Sequence, residues 1–344
     1  MIESSLHPSE PVPLPGPSFG RALRGVIGYG LLTALMMVTP MLVFVPAALM
    51  HCALRNGRRI AWAALAVAAL MASLYFASVP GSSPDAAKMA WGYLAGVLLA
   101  VALPAMASLP LVERGASFGR VLVFLLIGSA LGLAVTEGGA RALVSYSPYA
   151  TQVAQAQQSN AQFIEFYRQN HMPPDMVRFA QKWAEYSSFV LPAGILVSLA
   201  FAFVLSLLML GRLNVWRAHV APAEPRTTGM YLFRNLALPD WLLFAFVLGG
   251  LTPLATGILQ KVAANTLTVV VFLYILQGLA IFRFLLVAMG AGFLGTSLAL
   301  LMLVMLMFTG VGPLLLGLAG LFDPFFDFRH FKKRKDDSHE GHTD

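Results

Sequence analysis

Residues 189–210 read FVLPAGILVSLAFAFVLSLLML, a stretch without one charged side chain. A helix needs about 20 apolar residues to cross the hydrocarbon core of a bilayer. Apolar runs of similar length recur along the chain, at 60–79, 88–111, 118–136, 241–259 and 265–289. The sequence therefore predicts an all-α fold, a polytopic bundle of transmembrane helices.

The composition excludes a soluble surface. Hydrophobic residues make up 58% of the chain and charged residues 11%, whereas an ordinary soluble domain has about 25% charged residues. The formal net charge is +7, but the basic residues stand in short clusters between apolar runs, where they orient helices in a membrane. We therefore predict a lipid bilayer as the surroundings and no nucleic acid partner.

The two ends of the apolar region are interrupted. Residues 26–54 contain Pro40 and Pro46, and residues 292–326 contain Gly310, Gly312 and Pro313. Each stretch is either one kinked helix or a short helical hairpin. If the basic clusters lie in the cytoplasm, both stretches must leave and return. This topology predicts about 8–10 membrane segments in a bacterial inner (plasma) membrane, with both termini cytoplasmic.

The domain organisation follows from the same patterns. Residues 1–20 form a Pro-rich cytosolic tail, 21–330 a single transmembrane domain and 331–344 a charged cytosolic tail. Residues 137–188 interrupt the domain as a polar extracytoplasmic insert. Within it, Met176, Phe179, Trp183 and Tyr186 recur at helical spacing, which predicts an amphipathic helix. This helix either covers an outward cavity as a lid or lies on the bilayer surface.

Polar side chains at membrane depth are the candidate site residues, because burying them costs free energy. Asn265 and Gln277 share one predicted span, about 120° apart around the helix. Both are predicted to line a cavity or to hydrogen-bond between helices. Glu137, at the end of another span, is a third candidate for the same role and is also predicted to pair with Arg141.

The charged C-terminal segment has a separate interpretation. Arg329, Lys332, Lys333 and Arg334 are predicted to form a cytosolic anchor on anionic lipid headgroups. The pattern formed by Asp323-Pro324 and Asp327-Phe328-Arg329 is predicted to end the last helix at the interface.

No motif supports catalysis or a cofactor. Gly290, Gly292 and Gly295 match G-x-G-x-x-G, but this pattern binds dinucleotides only within a βαβ unit. Cys52 is the only cysteine, which excludes an intrachain disulfide. No Ser/His/Asp set, H-E-x-x-H or Walker A pattern occurs. The chain is predicted not to be an enzyme and to bind neither cofactor nor metal.

Small residues recur at the spacing that lets helix backbones approach closely. They are Gly92 and Gly96, then Gly128 and Gly132. Packing between helices of the same chain is the first interpretation, and an interface with a partner subunit is the second.

Several short stretches, taken in order, carry a family resemblance. They are TPMLVFVP at 39–46, LRNGRR at 54–59, LPDW at 238–241, QGLA at 277–280 and GLFDPFFDFR at 320–329. Their order resembles the YybS-like family, bacterial multi-pass membrane proteins of unknown function, over about residues 21–334. That family is distantly similar to the substrate-binding subunits of energy-coupling-factor transporters. The resemblance implies a helical bundle with a small-molecule cavity open to the outside and an ATPase partner subunit.

Two functions remain open at this point. The favoured one is an uptake component that binds a small molecule, such as a vitamin or metabolite, and has no ATPase of its own. The alternative is a non-transporting scaffold for envelope assembly or another membrane complex.

Overall fold

The computed structural model describes residues 19–78, 84–212 and 231–326. Within these ranges the chain consists of helices and short turns and contains no β-strand. The predicted all-α class is thereby confirmed. The predicted tails, 1–20 and 331–344, lie outside the described residues except for residues 19 and 20, which belong to the first helix.

Thirteen α-helices occur in the described ranges. A π-helical turn at Leu98–Ala102 connects one α-helix directly to the next, and 3-10 turns occupy Pro40–Phe44, Phe233–Asn235 and Thr252–Leu254. The helices are α1 Phe19–Met37, α2 Val45–Asn56, α3 Arg58–Ser78, α4 Pro84–Val97, α5 Leu103–Glu113, α6 Phe118–Val144, α7 Pro148–Gln169, α8 Pro174–Phe189, α9 Leu191–Arg212, α10 Leu242–Gly250, α11 Gly257–Ala288, α12 Phe293–Phe308 and α13 Val311–Phe326.

Five helical segments of the described chain are long and apolar enough to cross a membrane. Counting the bent pair α12 and α13 as one span gives six. This confirms a polytopic helical bundle. The number is below the predicted 8–10 membrane segments because the remaining segments are short: α2, with 12 residues, is only about 18 Å long. The five are Arg58–Ser78, Ala86–Glu113, Phe118–Val144, Leu191–Arg212 and Gly257–Ala288.

The predicted span at 241–259 is not one helix. α10 has nine residues and is about 14 Å long. The helix is interrupted after it by Pro253, which lies in a 3-10 turn. α11 then begins at Gly257, whose φ is +62°. Gln260 and Lys261 stand between the apolar runs 241–259 and 265–289, where the sequence predicts a tight link between two spans. In the structure both residues lie inside α11. The break therefore precedes its predicted position by several residues.

Residues 26–54 fold as a hairpin. α1 ends at Met37, and the Thr39 hydroxyl caps the 3-10 turn that follows. α2 then runs back along α1, so that Gly25 lies against the Asn56 side chain. Both ends of the stretch consequently lie at the same end of the bundle, as the charge pattern predicts. α3 continues from Arg58 and packs along α1 in the same direction, because Gly30 faces Val67.

The C-terminal stretch is also broken, since α12 and α13 meet at an angle of 108°. α13 packs along α11 and runs in the same direction, because Gly317 meets Ile275 while Gly320 meets Gly278. A Cβ atom on Gly278 would lie 1.9 Å from the carbonyl oxygen of Leu316. The two helix backbones touch at this crossing, and only glycine fits there.

The small residues predicted from spacing also pack within the chain. A Cβ atom on Gly132 would lie 2.1 Å from the carbonyl oxygen of Leu99, and one on Gly128 would lie 3.0 Å from Pro104. These contacts bring α6 against the helix formed by α4, the π turn and α5. The hydrophobic core beside them comes mainly from α2, α5, α6 and α9, with Leu49, Leu109, Leu122, Phe203 and Leu207 fully buried.

We predict that Gly278→Ala destabilises the bundle by about 1–3 kcal/mol, because the added methyl group forces α11 and α13 apart. Gly317→Ala is the matched control on α13, where the new Cβ would meet Ile275 at an ordinary 3.6 Å. Thermal unfolding of the detergent-purified variants measures the difference. Equal melting temperatures for the two variants would contradict the close packing.

Candidate functional site

Most basic residues of the described chain lie at one end of the bundle. Arg58 pairs there with Glu113, beside the turn that joins α5 to α6. Tyr231 is buried under this turn, and its hydroxyl donates to the carbonyl oxygen of Ala116 at 3.2 Å. Burial raises the pKa of Tyr231, so the phenol stays a donor at neutral pH. We call this the basic end.

The insert lies at the opposite end and consists of two helices, α7 and α8. It begins later than the predicted 137–188, since α6 continues to Val144. The Asn160 amide on α7 donates to the Ser187 hydroxyl on α8 at 3.1 Å, which ties the pair together. Of the predicted amphipathic residues on α8, Phe179 is 70% and Trp183 57% exposed. Their aromatic face is therefore available to the membrane interface.

A cavity of about 310 Å³ lies under α7, between α4, α6 and α9. We call it the lid cavity. Its apolar wall comes from side chains such as Leu42, Val97 and Leu133, and none of its lining side chains is charged. The polar groups in the lining are Tyr93, Thr136, Tyr146, Thr151, Gln152 and Gln155.

One wall of the lid cavity depends on the π turn. Pro104 has no N–H to offer the carbonyl group of Ala100, four residues earlier. The Ser129 hydroxyl of α6 donates to that carbonyl oxygen instead, at 2.6 Å. The local sequence therefore produces a widened turn held by the neighbouring helix, and such turns are frequent at functional sites.

Glu137 holds the beginning of α7 beside this cavity. Its carboxylate accepts from the backbone N–H of Tyr149 at 2.9 Å and from the Ser147 hydroxyl. The predicted pair with Arg141 is present, with Nε 2.6 Å from Oε1. Glu137 does not line the cavity itself. It fixes the first turn of the helix that covers the cavity.

Asn265 lies at the same end as the insert and bridges helices. Its side-chain oxygen accepts from the N–H of Ala193 at 2.8 Å, and its amide donates to the carbonyl oxygens of Phe189 and Lys261. These bonds satisfy the backbone at the break between α8 and α9. Asn265 also borders a separate, mostly apolar groove of about 560 Å³ that opens beside α10 and α11.

Gln277 lies deeper, toward the basic end, and does not line either space. Its side-chain oxygen accepts from the N–H of Leu238 at 3.0 Å, and its amide donates to Asp323 at 2.9 Å. Both side chains are buried. The structure therefore does not bring Gln277 and Asn265 into one site.

α13 continues through Asp323 and Pro324 to Phe326, and the second half of the predicted terminating pattern, 327–329, lies outside the described residues. Pro324 in the last turn removes one N–H without ending the helix. The buried carboxylate of Asp323 was therefore missed as a partner of Gln277. Its signal in the sequence is an acidic residue inside the last apolar stretch.

The sequence also missed the polar lining of the lid cavity. Gln152 and Gln155 belong to the glutamine-rich part of the insert, where the predicted helix was placed only after Pro173 and Pro174. A periodic polar face in 148–169 would have indicated the second helix. The predicted anchor Arg329, Lys332, Lys333 and Arg334 lies outside the described residues.

The described residues contain no group of three His, Cys, Asp or Glu side chains that could hold a metal ion. Cys52 is buried. The chemistry available to the lid cavity is hydrogen bonding from hydroxyl and amide groups, next to apolar surface. This combination suits an uncharged ligand.

The sequence profile of a family described as "Predicted membrane protein (DUF2232)" matches residues 29–324. This match is consistent with the resemblance to the YybS-like family. No curated protein and no solved structure gives a significant match.

We predict that Glu137→Ala loosens α7, because two charge-assisted hydrogen bonds to its first turn are lost. Hydrogen exchange of the first α7 amides should accelerate about tenfold or more. Glu165→Ala is the matched control, since Glu165 makes exposed contacts within its own helix, an ion pair with Arg168 and a hydrogen bond from the Gln169 amide. Equal exchange in both variants would show that Glu137 does not hold the helix.

Proposed function

The chain belongs to the DUF2232 family of predicted membrane proteins, and on that premise we propose that it is the ligand-binding component of an uptake system. The ligand is a small, uncharged molecule with hydrogen-bonding groups on an apolar body. It binds in the lid cavity at the insert end. The proposal includes no enzymatic step.

The observation that carries the proposal is the lining of the lid cavity. Small-molecule sites are concave, mostly apolar and equipped with a few polar groups that orient the ligand. The lid cavity has this composition, with a volume of about 310 Å³. The absence of charge in its lining disfavours ions and acids, because a buried charge needs a partner.

α7 is suited to act as the cover. None of its residues is buried, so little apolar burial holds it on the bundle. Its attachment consists of the Glu137 bonds at its first turn and the Asn160 bond to α8. Elements that open for ligands come from such weakly held parts of a fold.

The orientation in the membrane is part of the same proposal. The basic end carries Arg24, Arg55, Arg58 and Arg59, and the positive-inside rule assigns such an end to the cytoplasm. The insert and the lid cavity then face outward across a bacterial inner membrane, with both termini cytoplasmic. An ATPase partner subunit would supply the energy for uptake.

The scaffold function has one observation in its favour. α12 is a helix of 16 residues without a buried residue, packed mainly on α13. Such a helix is covered either by lipid or by a partner protein. A stable partner that co-purifies in mild detergent and crosslinks through α12 would favour the scaffold.

The test of the uptake proposal is a thermal-shift screen of the purified protein against uncharged vitamins, nucleobases and amides. We predict that a stabilising compound loses about tenfold or more in affinity for Gln152→Leu/Gln155→Leu, because each substitution removes a hydrogen bond from the cavity. Gln157→Leu is the control, since Gln157 is exposed on the same helix and does not line the cavity.

Two outcomes would count against the proposal. One is a stabilising compound that binds the wild type, the double variant and the control variant equally, because it would then occupy another site. The other is that no uncharged compound stabilises the well-folded protein while acidic or basic ones do.

A further inference from the structure

The hairpin of α1 and α2 holds another groove, of about 490 Å³, which extends from the basic end along both helices. Its inner wall is apolar and comes from Leu32, Met36, Phe44 and Ala47, with Met209 of α9 beside them. Arg24 lies at the other end of the groove. The groove is therefore apolar inside and cationic at its mouth.

The same order of chemistry appears on both helices. Along α1, Arg24 is followed one turn later by Gly28 and Tyr29 and then by Leu32 and Met36. The cation stands at the basic end, the aromatic hydroxyl next to it and the apolar side chains deepest.

Along α2 the order is repeated in the reverse chain direction. Arg55 lies one turn beyond His51, and Ala47 and Phe44 lie deeper. The rings of Tyr29 and His51 are 5.8 Å apart across the groove. Arg55 does not line the groove itself but lies beside both of these side chains. The two helices thus form one polar mouth.

The cations at this mouth lack acidic partners within the described ranges. Arg58 nearby is neutralised by Glu113, whereas Arg24 donates only to its own helix, to the carbonyl oxygen of Gly20. Arg55 makes no ion pair with a described carboxylate. The Nδ1 atom of His51 is shielded and has no hydrogen-bond partner among the described residues. An anion at the mouth would therefore meet two guanidinium groups, those of Arg24 and Arg55, that no described carboxylate neutralises.

We propose that this groove is a binding site for an anionic phospholipid. Arg24 and Arg55 hold the phosphate, His51 and Tyr29 border it, and one acyl chain lies along Leu32 and the apolar wall. Guanidinium groups form strong charge-assisted hydrogen bonds with phosphate. The apolar wall selects a lipid over free phosphate, and the two arginines select an anionic headgroup over a zwitterionic one.

The test is native mass spectrometry of the full chain in detergent, with phosphatidylglycerol or phosphatidylcholine added in turn. Wild type should retain phosphatidylglycerol in preference to phosphatidylcholine. Arg24→Gln/Arg55→Gln should reduce this preference by about tenfold or more. Arg59→Gln/Arg114→Gln removes two exposed charges at the same end, outside the groove, and should leave the preference within about twofold.

A second pair of variants keeps every charge. A Cβ atom added at Gly28 meets no other atom within 4 Å, and Gly28 lines the groove, so Gly28→Leu should fold and fill part of the groove. We predict that it loses phosphatidylglycerol, whereas Gly194→Leu, at an equally open position on α9, keeps it.

Three results would overturn the proposal. Equal losses in the two arginine pairs would indicate ordinary attraction at the membrane surface. Unchanged retention in Gly28→Leu would place the lipid elsewhere. Displacement of the lipid by inorganic phosphate at a total ionic strength of about 0.15 M would show that the mouth recognises the anion alone.

Discussion

A backbone N–H or C=O group left unpaired in hydrocarbon costs several kcal/mol, and this bundle interrupts its helices repeatedly. Several of these interruptions are repaired by a polar side chain from a neighbouring element. The pairs are Ser129 with Ala100, Asn265 with Ala193, Gln277 with Leu238, Ser206 with Val43, Tyr93 with Met37 and Tyr231 with Ala116. The fold depends on these repairs, because without them the short helices could not stay inside the membrane.

This constraint explains which parts of the site were predictable. Asn265 and Gln277 are costly residues at membrane depth, and their residue types already indicate that something must be hydrogen-bonded there. What they bind is backbone from segments 72 and 39 residues away in the chain, and no periodicity reveals such partners. The lid cavity was missed for a related reason, since its polar groups become a site only when α7 folds over α4 and α6.

The sequence predicted the topology correctly where clusters of basic residues and a proline pointed to the same turn. Basic residues at both ends of 26–54 require a return, and Pro40 supplies the turn. At 241–259 the apolar character hid the break, because Gly249, Gly250 and Pro253 interrupt the helix without adding charge. The two ends of the bundle thus received different chemistry, uncharged hydrogen-bonding groups under α7 and uncompensated arginines beside α1.

The length of α12 has a mechanical consequence. Its 16 residues extend for about 24 Å, several ångströms less than the hydrocarbon thickness of about 30 Å. A bilayer beside so short an apolar helix adapts by local thinning, at fractions of a kcal/mol per ångström of hydrophobic mismatch. The mismatch lies next to the 108° joint between α12 and α13, so the cost of thinning the bilayer at this joint depends on the acyl-chain length of the surrounding lipids.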